Sequence, residues 1–307
     1  MRLYEPSMSR TTSSSDWAEA DPAATSRLSV STVTTLTMSS LYTRVRAVPA
    51  RDPTILALDF DGFVCDGMAE YFVAAWRTWR RLRPSVGLDP PRGLVDRFAR
   101  VRPVVETGWE MPLLIMALLA GVSEAEILER WRPNAFLAEL GRARDEITAV
   151  LDSVRDEWIA ADEADWLDHH RFYPGAIERL RRLANGPTRI VVVTTKEGRF
   201  AQKLLFRQGV DLGAEDVYGK EAQRPKPVIL RELIEPSSTA RSLWFVEDRL
   251  KTLDAVKRAP ALDDVGLFLA GWGYNTARDR EEARRDDRIV LLSLEQFGGD
   301  FPTWVEA

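Results

Sequence analysis

Cysteine is almost missing from these 307 residues: Cys65 is the only one. A lone cysteine excludes an internal disulfide framework and a cysteine-ligated metal cluster, and it fits a reducing, cytoplasmic setting. Histidine is confined to His169 and His170, an adjacent pair without metal-ligand spacing, so a linker role is expected for both. Lysine is scarce too, at Lys196, Lys203, Lys220, Lys226, Lys251 and Lys257, which makes each one easier to weigh. No apolar run approaches the ~18 residues that suggest a membrane span. A net charge of −5 argues against non-specific binding to nucleic acid or anionic membrane. A Walker sequence is absent, and "GWGYN" at 271–275 lacks the third glycine of a dinucleotide fingerprint. The rest is ordinary for a soluble globular chain, 45% hydrophobic and 29% charged. The length suits two domains, or one core with a large insertion.

Residues 1–50 are rich in Ser and Thr and show no sustained period, so a disordered tail is expected there. Glu5, Asp16, Glu19 and Asp21 count against an organelle-targeting segment. From residue 55 the pattern changes. "ILALDF" is a short continuous apolar run, as in a strand covered on both faces. Met68, Phe72, Ala75, Trp76 and Trp79 recur at helical spacing and predict a helix over 67–83. Residues 94–169 carry only helical patterns, with breaks expected at Pro103, Pro112, Gly121, Pro133 and Gly141. Ser123 and Glu126 form a capping-box signature ahead of Ile127 and Leu128. Trp76, Trp79, Trp131 and Trp158 read as core packing.

Strand signals return at "RIVVVTT", "SLWFVED", "VGLFLAG" and "RIVLLS", with helix-like stretches such as 198–208 and 249–258 between them. Buried strands alternating with helices predict an α/β fold, a Rossmann-like doubly wound parallel sheet with helices on both faces. The roughly 100 helical residues after the first strand exceed a crossover, so an inserted α-helical cap is expected. The boundaries read as a 51–66 and 170–307 core, with the cap at 67–169.

Such sheets bind ligands beyond the carboxyl ends of their strands. Those ends carry Asp59 and Asp61, then Thr194 and Thr195, then Glu247 and Asp248, with Lys226 in "QRPKPVIL" between the last two. The set is chemically coherent. A carboxylate such as Asp59 can form an acyl-phosphate. Crowded acids need a cation, and Mg²⁺ accepts a few carboxylates plus substrate oxygens, with Asp248 and Glu247 completing the protein's share. Asp61 is placed to give a proton to a leaving oxygen and later to activate water. Thr194 and Lys226 would hold phosphoryl oxygens. Gly62 permits a tight turn that leaves amides near the phosphate.

"DFDGFVCD", "VVVTTK", "RPKP" and "WFVED" together resemble the four ordered motifs of the haloacid dehalogenase superfamily. The resemblance implies an aspartate-nucleophile, Mg²⁺-dependent phosphatase on a Rossmann-like sheet, with a helical cap after the first motif. It implies Asp59 as nucleophile and Asp61 as acid/base, and Thr194 and Lys226 as phosphate-binding, with Thr195 standing where an Asn commonly follows. Asp248, and the Asp61 carbonyl, are implied as metal ligands. Glu247 stands where a Gly is frequent and Thr252 where a second acid is frequent, so Glu247 is expected to supply that carboxylate. Lys220 is a rival to Lys226, which the Pro-Lys-Pro setting favours.

The presence of Asp61 favours phosphoryl transfer over dehalogenation, and residues 67–169 contain no lysine for Schiff-base chemistry. Hydrolysis of a small phosphorylated metabolite is the expected activity. A sugar-phosphate mutase and a non-catalytic binding protein on the same fold are the alternatives. Arg77, Arg80, Arg81, Arg97, Arg100 and Arg102 either recognise an anionic substrate or form a solvated helix face. "ETGWEMP", 106–112, is the stretch expected to face the site.

Overall fold

The computed structural model describes residues 51–85, 87–235 and 242–305, so the expected tail at 1–50 lies outside them. The chain enters through β1 (Ile55–Leu58) and runs by β2 (Cys65–Asp66) into consecutive helices. These are α1 (Met68–Leu82), α2 (Leu94–Val101), α3 (Glu110–Leu119), α4 (Glu124–Arg130), α5 (Pro133–Leu140) and α6 (Arg144–Asp168). β3 (Arg171–Phe172) brings it back, antiparallel to β2, with Cys65 opposite Phe172 and Asp66 opposite Arg171. Helix and strand then alternate: α7 (Ala176–Ala184), β4 (Arg189–Val193), α8 (Gly198–Arg207), β5 (Val217–Tyr218), α9 (Lys226–Ile234) and β6 (Leu243–Glu247). α10 (Leu250–Lys257), β7 (Gly266–Ala270), α11 (Ala277–Arg285), β8 (Ile289–Leu292), α12 (Leu294–Gly298) and α13 (Phe301–Val305) complete the series.

One six-stranded sheet has the order β5-β4-β1-β6-β7-β8, and every pairing in it is parallel. The chain steps outward from β1 to β4 and β5, then crosses back to β6 on the other side. That reversal opens a crevice at the carboxyl end of β1, the position where doubly wound sheets bind ligands. The continuous apolar runs follow from burial on both faces. Leu56, Leu58, Ile190, Val192, Trp244 and Val246 face one helical layer, and Ile55, Ala57, Val191, Val193, Leu243 and Phe245 the other. Alternate residues of a strand point to opposite faces, so both sets must be apolar.

The inserted helices pack around an apolar cluster of their own, including Phe72, Trp76, Trp79, Phe98, Leu113, Ile115 and Ile147. Trp158 and Trp166 instead join the core beneath the sheet. Trp131 is only half-buried, stacked on Phe136, and its indole N–H donates to Glu110 Oε2. Ser123 caps α4 as its signature predicts, its hydroxyl accepting the Glu126 amide at 3.2 Å.

Pro112 does not break a helix; it lies in the first turn of α3. Amides there have no acceptor within the helix, so a proline costs nothing. A break that the sequence did not announce divides α6 at Asp162, whose backbone is non-helical. Its carboxylate accepts the Asp165 amide at 2.9 Å and so caps the second half. Among the described residues no helix is long and apolar enough to cross a membrane.

Candidate active site

Asp59 is the first residue beyond β1, and its amide donates to the Val246 carbonyl at 2.9 Å, extending the ladder toward β6. The chain then turns sharply, with the Phe60 carbonyl accepting the amides of Val64 and Cys65 at 3.0 and 2.9 Å. Gly62 sits in this turn at φ +82°, and a Cβ there would lie 2.0 Å from Asp248 Oδ2. Glycine is needed for two reasons, the left-handed backbone and the close approach of Asp248. The Gly62 amide donates to the Cys65 carbonyl at 2.8 Å. It is therefore committed to the turn, which sets Gly62 against Asp248.

Lys226 opens α9 between Pro225 and Pro227, residues whose fixed φ suits a helix start. Its Nζ lies 2.8 Å from Asp59 Oδ1 and 2.7 Å from Glu247 Oε2. Burial alone would discharge this ammonium, but Asp59 and then Glu247 hold it above the ordinary lysine range. The rival Lys220 instead pairs with Asp152 at 3.5 Å.

Glu247 ends β6, is 1% exposed, and uses its other oxygen to accept the Arg249 amide at 3.0 Å. Asp248 is held from the opposite side: its Oδ2 accepts the Tyr274 amide at 2.7 Å, and its carbonyl accepts Asn275 Nδ2 at 3.0 Å. Gly273 packs so closely that a Cβ there would lie 2.3 Å from Asp248 Cβ. "GWGYN" is thus the cradle of Asp248, a role that the sequence reading missed. Its signal was position, just past the buried run of β7.

One oxygen from each of Asp59, Glu247 and Asp248 lies within 4.8 Å of the others. Burial, then Glu247, pushes Asp59 up to about 7 against the pull of Lys226. Asp248 rises to about 6, from burial and then Asp59. Glu247 is raised as well, by burial first. Asp59 and Glu247 share one ammonium with a third buried carboxylate, Asp248, close by, and that excess of negative charge suits a hard divalent cation. Glu247 has both oxygens engaged, so Asp59 and Asp248 offer the freer donors.

Asp61 points elsewhere. Its Oδ2 lies 3.3 Å from Lys196 Nζ, and its Oδ1 is buried without a hydrogen-bond partner. Thr194 is buried at the end of β4, with its Oγ1 accepting the Lys196 amide at 3.1 Å. Thr195 is exposed and forms part of the walls of two adjoining cavities.

The smaller cavity, about 400 Å³, contains Asp59, Lys226, Glu247, Asp248 and Tyr274 in its wall. The larger, about 580 Å³, is bounded by Trp109, Arg144, Arg155, Trp166, Lys196 and Phe200. Asp61, Tyr71, Arg102, Glu106, Thr107 and Thr195 line both, so the two meet at Asp61. The 106–112 stretch faces the site as expected, through Glu106, Thr107, Gly108, Trp109 and Met111. Of the six arginines considered for anion recognition, only Arg102 reaches these cavities. Arg81 pairs with Glu157, and Arg97 and Arg100 with Glu124, on exposed or half-exposed helix faces. Arg77 and Arg80 line a separate surface groove. Arg102 stacks on Tyr71 and Tyr274, with centroids 4.7 and 5.0 Å away.

No protein-family model matches the chain, and no curated protein matches it either. Solved structures do. A candidate phosphoglycolate phosphatase from Lactobacillus delbrueckii is 15% identical, with 78% of this chain aligned to 95% of that one at a TM-score of 0.52. A predicted phosphatase from Clostridium acetobutylicum is 13% identical, with 81% aligned to 97% at 0.51. A predicted phosphoglycolate phosphatase from Haemophilus somnus is 13% identical, with 78% aligned to 94% at 0.50. At these identities the likeness is one of fold, a parallel α/β sheet flanked by helices.

Proposed function

We propose that this chain is a Mg²⁺-dependent phosphoric monoester hydrolase that acts through an aspartyl-phosphate on a small phosphorylated metabolite. One observation carries the reading: the Lys226 ammonium is shared by Asp59 and Glu247 at 2.8 and 2.7 Å, with Asp248 alongside, at the floor of a cavity. A cation buried between two acids is costly as a structural device. As a phosphate-binding and nucleophile-orienting device it has a use. The fold neighbours named as phosphatases support the same reading.

Asp59 attacks phosphorus through a carboxylate oxygen, and the ester P–O bond breaks as Asp61 gives a proton to the departing oxygen. Water then attacks the aspartyl-phosphate and gives its proton to Asp61. The bond between Asp59 and phosphorus breaks, and inorganic phosphate leaves. Lys226 and the Thr194 and Thr195 hydroxyls hold phosphoryl oxygens, with Thr195 presented to the cavity. Asp59 and Asp248, with the Asp61 carbonyl and Glu247 beside them, would hold Mg²⁺, which when bound offsets the repulsion between a carboxylate and a phosphate dianion. The leaving group enters the larger cavity, which the inserted helices roof as a cap, beside Arg102 and the aromatic wall.

The test uses p-nitrophenyl phosphate with purified protein. Nitrophenolate release is expected with Mg²⁺, its loss with EDTA, and its recovery when Mg²⁺ is restored. No turnover across a broad panel of phosphate esters would overturn the proposal, and interconversion of sugar phosphates without release of phosphate would replace it with the mutase reading.

A further inference from the structure

The hydrolase reading leaves Lys196 without a task, although this side chain is only 8% exposed and lies beside the proposed acid/base. Its Nζ sits 3.3 Å from Asp61 Oδ2, 3.1 Å from His170 Nε2 and 5.4 Å from the Trp166 ring centroid. The hydrogen bonds fix the histidine tautomer. His170 Nδ1 lies 3.1 Å from the Trp166 carbonyl, which can only accept, so Nδ1 carries the hydrogen and Nε2 accepts from Lys196. Burial, then the Lys196 charge, lowers the imidazole to about 4 and keeps it a neutral acceptor. The Lys196 backbone is pinned as well, its amide donating to Thr194 Oγ1.

We infer that Lys196 is a positioning residue for Asp61, held by His170 so that the Asp61 carboxylate stays on the leaving-group side of the site. This rests on the hydrolase reading. Two aspartates separated by one residue would repel or share a single cation. Here each has its own ammonium, Lys226 for Asp59 and Lys196 for Asp61. The division has a spatial consequence: Asp59 lines only the smaller cavity, whereas Asp61 lines both. Lys196 holds Oδ2 while Oδ1 is buried without a hydrogen-bond partner, so among the described residues the ammonium is the one polar contact that fixes the direction of this carboxylate. His170 follows α6 where the chain returns from the helices, so the placement of Asp61 is tied to that connection.

The experiment is rapid-mixing kinetics of the full chain with p-nitrophenyl phosphate and Mg²⁺. Nitrophenolate leaves readily without an acid, so a misplaced Asp61 should slow mainly the hydrolysis of the aspartyl-phosphate. Lys196→Met is expected to lower kcat roughly 10- to 100-fold, part of the full general acid–base effect. A burst of about one nitrophenolate per chain should precede the slow phase, the fingerprint of an accumulating covalent intermediate. Lys196→Arg should restore part of kcat, and His170→Phe should show a smaller fall with the same burst. A purely structural role would reduce burst and kcat in parallel, and that result, or an unchanged kcat, would overturn the inference. If Lys196→Met does not fold, the other two variants decide it, and unaltered kinetics in both would sink it. Failure of the hydrolase reading is distinguishable, because the unsubstituted protein would then show no turnover.

Discussion

Asp59→Asn is expected to lower phosphatase turnover by at least about a thousandfold, as removal of a covalent nucleophile does. The substitution is nearly isosteric and keeps an oxygen beside Lys226, but an amide oxygen cannot form the acyl-phosphate. The fold should survive it. Burial and then Glu247 raise Asp59 to about 7, so its charged form is disfavoured in the fold, and Glu247 still pairs with Lys226 in the variant. Circular dichroism should be unchanged, and the melting temperature equal or slightly higher. Retained activity would remove Asp59 from the role of nucleophile. A collapsed fold would make the charge of Asp59 structural, contrary to the electrostatics of the site.

The second large effect concerns stability. Glu70 on α1 is fully buried, yet it lies 2.8 and 3.0 Å from Arg155 Nε and Nη2 on α6. Trp166 Nε1 donates to the same carboxylate at 3.3 Å. Burial pushes Glu70 up, but the Arg155 charge and hydrogen bonds outweigh it and bring the carboxyl to about 2. Arg155→Met leaves a buried, unpaired carboxylate, a change that typically costs about 3–5 kcal/mol. In a domain of this size that corresponds to a fall in melting temperature of roughly 10 °C.

The sign with pH follows from linkage. A carboxyl depressed in the folded state contributes fully above its unfolded value of 4.5, and that contribution is lost as pH falls toward about 2. In Arg155→Met the same carboxyl is raised by burial, so it protonates more easily and the strain is relieved by acid. The gap between the two proteins in thermal or urea unfolding should be widest near neutral pH, begin to narrow above 4.5 as the variant's carboxyl protonates, and go on narrowing toward about 2. A gap independent of pH would show that Arg155 stabilises only through packing.

Much of the site was legible because each part lies at the end of a buried apolar run. Asp59 after "ILAL" and Glu247-Asp248 in "LWFVED" need only strand burial and the strand-end rule to be brought together. Lys226 was legible through scarcity and its flanking prolines. The parts not read depend on contacts between distant segments. Nothing local to Tyr274 indicates that its amide will meet Asp248, 26 positions away. Lys196 and His170 are likewise 26 apart, and Glu70 and Arg155 are 85 apart. The two-residue pairing of β2 with β3 is too short to give a period. Gly62 was noticed for its backbone freedom, but its packing on Asp248 exists only in the folded chain.

The central claim is that phosphate passes through Asp59. The most direct measurement is borohydride trapping during turnover of a phosphate ester with Mg²⁺, followed by peptide mass spectrometry. An aspartyl-phosphate is reduced to homoserine, so the expected result is homoserine at position 59 and at no other aspartate. Phosphate release with position 59 unmodified, or reduction at Asp61 instead, would contradict the account.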